Sequence, residues 1–392
     1  MNYSLRDSLG TRVLIAHPSP DLYGSDLQLV ETVKGLGARG ATVVVVMPEH
    51  GPLTRKLEKA GAQVLIKPFP VLRKSSLRLF GVLTLAFDHL ASFAGARRLA
   101  VTVDPDVLFV NTVTIPFWLV VAKILRIPSI CHVHEAEEER RPLIVKTLLA
   151  PLLLAGSIVT NSNAATRVLV DMHPRLGRRT TRIYNGVVGR ASEPHNYRHA
   201  EKSVELIFVG RISPRKGPDI LIKAVGLLWS RGYEVHLAIK GAIYPGYEWY
   251  EAELVSLCNS SGLAEVVNFC GYSTDPFGNI PMNAIAVVPS RAEPFGNVAV
   301  EAQLAGLPVV VSGVQGLAEI VTHGETGLHF QPEDPESLAE KIAWLVDNPE
   351  ERSALARSGR LSAESRFGIE RYRKEISALV ELQAKGRCFG AS

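Results

Sequence analysis

Apolar runs of strand length recur along the chain, separated by helix-length segments, and within each run the apolar positions are continuous rather than alternating. In the first half these runs are 12–17, 42–47, 63–67, 106–111, 129–133 and 158–161, rich in Val, Ile and Leu. Strands covered by helices on both faces read this way. Between the first two, Leu27, Val30, Val33 and Leu36 fall at helical spacing and predict a helix over 26–36. Repetition of strand, helix and strand predicts a parallel, doubly wound sheet.

The pattern resets after Tyr184-Asn185-Gly186-Val187. A polar, strand-poor stretch runs to 203, and a second series follows at 204–209, 235–239, 266–270, 284–288 and 309–312. The predicted fold is therefore α/β, with two Rossmann-like doubly wound domains facing each other across a cleft. The final segment, 367–383, reads as an amphipathic helix through Ile369, Tyr372, Ile376, Leu379 and Val380. No short-period repeat or low-complexity tract interrupts the pattern.

Composition agrees and removes some function classes. A length of 392 residues suits two domains, since single cores stop growing near roughly 250 to 300 residues. Hydrophobic residues at 46% against 21% charged exclude a largely disordered chain. Cys131, Cys258, Cys270 and Cys388 match neither a zinc site nor a disulfide framework, which favours a reducing compartment. The first ten residues carry Arg6 but no apolar core of signal-peptide length, so a cytoplasmic location is expected. The longest apolar stretch, 147–159, is broken by Pro151 and Gly156 and falls short of the ~20 residues of a membrane span. The net charge of +4 conceals an asymmetry: up to Arg190 there are 24 Lys+Arg against 14 Asp+Glu, and beyond it 19 against 25. Such a basic first half suits an anionic partner, either a membrane surface or a phosphate-bearing acceptor. The cations form no aromatic-interleaved stripe, so no nucleic-acid partner is expected.

In open parallel sheets ligands sit beyond the carboxyl ends of the strands, so the loops that follow strands carry the candidate chemistry. The first, 18–26, contains Gly24 ahead of a helix N-terminus; it reads either as an anion cradle or as a turn glycine with an Asp or Ser cap. Val209-Gly210-Arg211-Ile212-Ser213-Pro214-Arg215-Lys216-Gly217 places Arg211 and Lys216 on one tight turn. That spacing suits a diphosphate clamp, with a solvated basic loop as the other reading. It is not a P-loop. The stretch 289–302 holds Glu293 and Glu301 around Pro294-Phe295-Gly296-Asn297-Val298. Pro294 predicts a helix start, which leaves Glu293 in the loop and Glu301 inside the helix. Eight residues apart on one helix, the two carboxylates would point roughly 80° from each other, unsuited to a shared proton. N–H groups near Asn297 and Val298 suit a diphosphate, and Glu301 suits ribose hydroxyls. His134, beside Glu135 and two residues after His132, reads from spacing alone as hydrogen-bonded structure.

Taken in order, Asn185-Gly186-Val187, Gly210-Arg211 with Lys216-Gly217, Glu293 and Glu301 separated by seven residues, Gly306-Leu307-Pro308-Val309-Val310, Gly316-Leu317-Ala318-Glu319-Ile320-Val321 and Gly324-Glu325-Thr326-Gly327-Leu328 resemble the retaining glycosyltransferases of family 4, whose fold is GT-B. The resemblance implies a first, acceptor-binding domain over 1–186, completed by a crossover helix at 367–385. A donor-binding domain over 187–366 follows. It implies transfer of a sugar from a nucleoside diphosphate donor to an acceptor hydroxyl with retention, and no metal or other cofactor. His134, Arg211, Lys216 and Glu293 would be catalytic, and Gly24, Gly210, Phe295, Gly296, Asn297, Val298 and Glu301 would bind the donor. Many relatives have a glycine pair where this chain has Gly24-Ser25, and the frequent Gly-x-Gly after the second donor-domain strand is replaced by Lys240-Gly241-Ala242-Ile243-Tyr244-Pro245-Gly246.

The segment 72–80 mixes Arg73, Lys74 and Arg78 with apolar residues, which fits either a peripheral membrane contact at the inner face of the cell membrane or an ordinary packed helix. A lipid-linked, polysaccharide or small-molecule acceptor is expected. Two other functions fit the architecture: a sugar-nucleotide 2-epimerase-like isomerase and a non-catalytic sugar-nucleotide-binding module.

Overall fold

The computed structural model of the chain describes residues 10–72, 81–134, 142–189, 203–243, 246–281 and 283–389. Arg73, Lys74 and Arg78, Glu135, the charged run 137–141 and most of the 187–203 connection lie outside the described residues. The chain divides into two compact units, Met1–Gly186 with Ile369–Ser392, and Val187–Gly368.

Among the described residues the first unit holds seven strands: β1 Arg12–Ala16, β2 Thr42–Met47, β3 Gln63–Ile66, β4 Val107–Val110, β5 Ser129–Val133, β6 Ser157–Thr160 and β7 Thr180–Arg182. All pair in parallel, in the order β3-β2-β1-β4-β5-β6-β7. Residues 13–16 are fully buried, because both faces of the sheet are covered. Leu14 and Ala16 enter one cluster with Val44, Val46, Leu108 and Val110. Val13 and Ile15 enter another with Phe109, Tyr372, Ile376 and Val380, so the C-terminal helix Ile369–Phe389 supplies part of the core of this unit.

Tyr372 is the anchor of that helix. It is fully buried, and its hydroxyl lies 2.6 Å from Thr32 Oγ1 on the helix Gly24–Gly37. Burial raises its pKa to about 12, so it remains a neutral phenol. Arg373, next to it, forms an ion pair with Glu31. A side chain at Gly186 would place a Cβ 2.6 Å from Tyr372 Cβ, which explains a glycine where the chain leaves this unit. Tyr372→Ala is expected to lose about 3 to 5 kcal/mol of stability, the usual cost of emptying a large aromatic site, as chemical denaturation would measure.

The second unit has six strands among its described residues: β8 Val204–Val209, β9 Val235–Lys240, β10 Val267–Gly271, β11 Ile285–Val288, β12 Val309–Ser312 and β13 Leu328–Phe330. They are again parallel, ordered β10-β9-β8-β11-β12-β13. One face packs under the helices Pro218–Ser230 and Pro335–Asp347 through Leu221, Val225, Leu338 and Ile342. In each unit the strand order reverses once, between β1 and β4 in the first and between β8 and β11 in the second. Those switch points are where such sheets hold ligands.

Three expectations needed adjustment. The strands β7 and β13 are additional; each has three residues, too short for a period to show. The first helix begins at Gly24 rather than 26. Pro294 does not start a helix: the chain stays irregular to Gly296, whose φ of 114° only glycine adopts easily, and the helix runs Asn297–Leu304.

Candidate active site

In the second unit two loops meet at the switch point. The first leaves β8 through Gly210, at φ 156°, whose N–H donates to the Lys240 carbonyl at 3.0 Å. A Cβ on Gly241 would stand 1.8 Å from the Gly210 oxygen, so the backbones after β8 and β9 run in contact. Ser213 and Pro214 then open a single 3₁₀ turn, Pro214–Lys216, ended by Gly217 at φ 68°. A Cβ there would meet the Pro289 carbonyl at 2.1 Å. Only glycine therefore lets this loop press against the one that follows β11.

Arg291, on the β11 loop, locks the two together. Its backbone N–H donates to the Arg215 carbonyl at 2.8 Å, its guanidinium reaches the Pro214 carbonyl at 2.5 Å, and it makes a two-pronged pair with Asp219 at 2.9 and 2.7 Å. Tyr250 donates its hydroxyl to the same carboxylate at 2.5 Å. Burial would raise the Asp219 pKa, but these donors and the Arg291 charge outweigh it and the pKa is lowered. Sequence reading passed over Arg291 and Asp219. Their signal was an Arg directly after a buried strand and an Asp in the first turn of a helix, neither distinctive without the fold.

The lock brings Lys216 and Glu293 into an ion pair, with both side chains mostly buried. Ser290 lies 3.4 Å from the same carboxylate oxygen. The Glu293 backbone is held at both ends, its N–H donating to Gln315 Oε1 at 2.9 Å and its carbonyl accepting from Gly316 N–H at 3.0 Å. Burial pushes the Glu293 pKa up, yet Lys216, Arg215 and the hydrogen bonds prevail and it is lowered. Glu293 is thus an anion in a largely dry site. Arg211 is half-buried beside Gly210 on the same loop as Lys216. Asn297 and Val298 open the helix after Gly296, and Glu301 sits half-buried one turn further in. Phe295 turns its side chain into the core, edge-on to Phe367 with ring centroids 5.6 Å apart, so only its backbone faces the loop.

His134 belongs to the first unit, at the carboxyl end of β5. Its Nε2 lies 3.1 Å from Asn111 Oδ1. The Asn111 amide nitrogen lies 3.0 Å from His17 Nδ1, and His17 Nε2 lies 3.0 Å from Asp26 Oδ1. His17 follows β1 and Asn111 follows β4, the pair of strands at this switch point. Gly24 opens the helix that carries Asp26, whose other oxygen accepts the Tyr23 N–H at 2.8 Å. Burial, then His132 and His17, hold the His134 pKa well below its usual value. His132 stacks on it with ring centroids 4.0 Å apart, its pKa is itself lowered to about 3 by burial, and among the described residues neither of its ring nitrogens has a hydrogen-bond partner. His17 and Asn111 went unremarked in the sequence because each reads as the last residue of a strand.

Two Rossmann-like units, each with polar and charged residues gathered at its switch point, define a doubly wound α/β protein. Residues 24–188 match the family described as Glycosyltransferase Family 4, and residues 190–362 match Glycosyl transferases group 1. The chain belongs to this glycosyltransferase family and has the GT-B fold. It is 35% identical over 175 residues to a D-inositol 3-phosphate glycosyltransferase of Arthrobacter, covering 42% of this chain and 39% of that one. It is 28% identical to the capsular polysaccharide biosynthesis glycosyltransferase CapM of Staphylococcus aureus, covering 44% of each. These matches span less than half the length of either relative. A crystal structure of Anabaena HepE in complex with UDP and glucose superposes with a TM-score of 0.78 at 23% identity, covering 95% of this chain and 99% of that one.

Proposed function

We propose that the chain is a retaining glycosyltransferase that moves a sugar from a nucleoside diphosphate donor to an acceptor hydroxyl, in the assembly of a cell-surface polysaccharide or glycolipid. The observation that carries this reading is the Lys216–Glu293 pair, set by the Arg291–Asp219 lock at the β8/β11 switch point. As the donor bond breaks, negative charge grows on the diphosphate and positive charge on the sugar ring. Lys216 and Arg211 answer the first, doing the neutralising without a metal. Glu293, anionic and shielded from water, answers the second. Charges that match the transition state better than the ground state accelerate the step. Glu301 holds the ribose, the N–H groups of Asn297 and Val298 meet the diphosphate, and His134 serves the donor sugar. No protein nucleophile is required, since the departing diphosphate can take the acceptor proton on the same face.

The UDP bound to HepE makes UDP-sugars the first donors to test, and the name of CapM supports a polysaccharide acceptor. A binding panel of UDP-, GDP-, ADP- and dTDP-sugars, with product analysis on lipid extracts, is expected to yield one donor and a glycosylated product. Tight binding without turnover on any acceptor would reduce the chain to a sugar-nucleotide-binding module.

We also propose that the first unit rests on an anionic membrane surface. No helix among the described residues is long and apolar enough to cross a membrane. The helices Gly81–Val103 and Phe117–Leu125 pack side by side, and the short turn Ala150–Leu154 packs on the second. Along them Val101, Ile124 and Leu153 are exposed among exposed Arg97, Arg98, Lys123 and Arg126. Apolar side chains between cations suit the interface of an anionic bilayer. Vesicles rich in phosphatidylglycerol should bind the protein at low salt and lose it after charge reversal of Arg97, Arg98, Lys123 and Arg126. Binding equal to that of the wild type would refute the contact.

A further inference from the structure

In the second unit β11 and β12 pair in parallel as far as Val288 and Val311, and the loops that follow them meet again at Glu293. In a parallel ladder the N–H and the carbonyl of one residue bond the carbonyl and the N–H of the two residues flanking its neighbour. Half of that pattern is present, since the Glu293 carbonyl accepts from Gly316 N–H at 3.0 Å. The other half would use the Val314 carbonyl, but that group accepts from Ala318 N–H at 3.2 Å as the chain turns into the short helix Leu317–Ile320. Gln315 supplies the acceptor from its side chain instead, with Oε1 2.9 Å from the Glu293 nitrogen.

The Gln315 backbone is held in a disfavoured shape as it does so. Its φ is 38°, in the left-handed region where a Cβ crowds the following carbonyl. Packing on its far side keeps it there. A Cβ on Gly316 would stand 2.4 Å from the Pro294 oxygen, and Leu317, fully buried, puts its Cδ2 2.6 Å from where a Cβ on Gly296 would fall. Strain of this kind persists only where the surroundings over-determine it, and it gathers at sites that need fixed geometry.

We infer that Gln315 is a positioning residue for Glu293: its side-chain carbonyl fixes the Glu293 peptide, and with it the direction in which the carboxylate leaves the backbone. The inference rests on the proposed part of Glu293 in sugar transfer. Lys216 and Ser290 meet the carboxylate itself, but an ion pair sets only the separation of two charges and lets them shift together. The bond from Gln315 anchors the backbone from which the carboxylate starts. Deprived of it, the N–H of a residue only 9% exposed loses its acceptor, and the peptide must rotate to find another.

Two substitutions separate the acceptor from the backbone. Gln315→Met keeps a side chain of similar length without the carbonyl. Gln315→Gly leaves a φ of 38° easily adopted and removes the side chain. In the full-length protein both are expected to lower turnover about tenfold to a hundredfold, the effect of displacing a reacting group by about an ångström. KM for the donor should change by less than about threefold. The turnover substrate is the sugar nucleotide selected by the binding panel, with lipid extract as acceptor. Both substitutions should also speed exchange of the Glu293 amide proton about tenfold or more, read from ¹H–¹⁵N spectra in D₂O without any ligand. In a Glu293→Gln background the same changes should lower turnover no more than about twofold, because a residue that acts through Glu293 has nothing left to position there. Wild-type turnover in Gln315→Gly would overturn the inference, and so would an undiminished Gln315→Met effect in Glu293→Gln. If Glu293→Gln alone turns over as fast as wild type, the role of Glu293 fails, and the hold of Gln315 on its peptide is decided by exchange: faster in Gln315→Met supports it, unchanged refutes it.

Discussion

Replacing Lys216 by alanine is expected to lower turnover about a hundredfold to a thousandfold, the range seen when one preorganised charge or donor is removed from a developing anion. KM for the donor should rise far less, because the lysine charge is answered by Glu293 before the reaction and by the diphosphate during it. The same change has a second signature in stability. With Lys216 present, the Glu293 pKa is lowered, so the pair stabilises the fold above the ordinary carboxylate pKa and ceases to do so as the pH falls through the lowered value. Without Lys216, burial, the largest single influence on Glu293, is opposed only by Arg215 and Ser290, and the pKa of Glu293 moves up, which destabilises the fold at neutral pH. The deficit of Lys216→Ala, up to about 3 kcal/mol for a buried charge deprived of its partner, should therefore be largest near pH 7 and shrink toward pH 4. Adding Glu293→Gln should recover most of that stability and none of the turnover. Urea unfolding at the two pH values, alongside steady-state rates, separates the structural role of the pair from its chemical one. Wild-type turnover in Lys216→Ala would remove the diphosphate clamp from the account.

Glu301→Ala is expected to act on affinity instead. A carboxylate that accepts from two ribose hydroxyls contributes about 1.5 to 3 kcal/mol through each charged hydrogen bond, so the dissociation constant of the nucleoside diphosphate should rise at least tenfold to a hundredfold. Turnover at saturating donor should stay within a few fold of wild type, because the ribose is remote from the bond that breaks. Calorimetry with the free nucleotide reads this without any acceptor. Unchanged nucleotide affinity would move the ribose to another residue.

The sequence disclosed the two sheets because their strands are buried on both faces, and continuous apolar runs such as 42–47 and 204–209 survive in composition alone. It missed β7, whose Thr180, Thr181 and Arg182 lie at the sheet edge with little burial, and β13, which pairs only through Leu328, His329 and Phe330. Lys216 and Glu293 were legible as charged residues on loops that follow strands. Their contact was not, since 77 positions separate them in the chain and only the β8/β11 adjacency joins them. Arg291 illustrates the remainder. Its fork to Asp219 spans 72 positions and sets the approach of two loops, which no local pattern encodes. His17 and Asn111 were hidden differently, as polar residues at the ends of apolar runs, where a strand boundary explains them as well as a site does.

The central claim is that the β8/β11 site drives transfer of a sugar from its nucleotide with retained configuration. Proton NMR of the anomeric signals, followed from donor to product with the donor that binds best and an acceptor-bearing lipid extract, tests it most directly. The account predicts a new glycosidic signal of the same anomeric configuration as the donor, appearing as the nucleoside diphosphate is released and abolished in Lys216→Ala. An inverted product, or an epimerised nucleotide sugar formed without transfer, would contradict it.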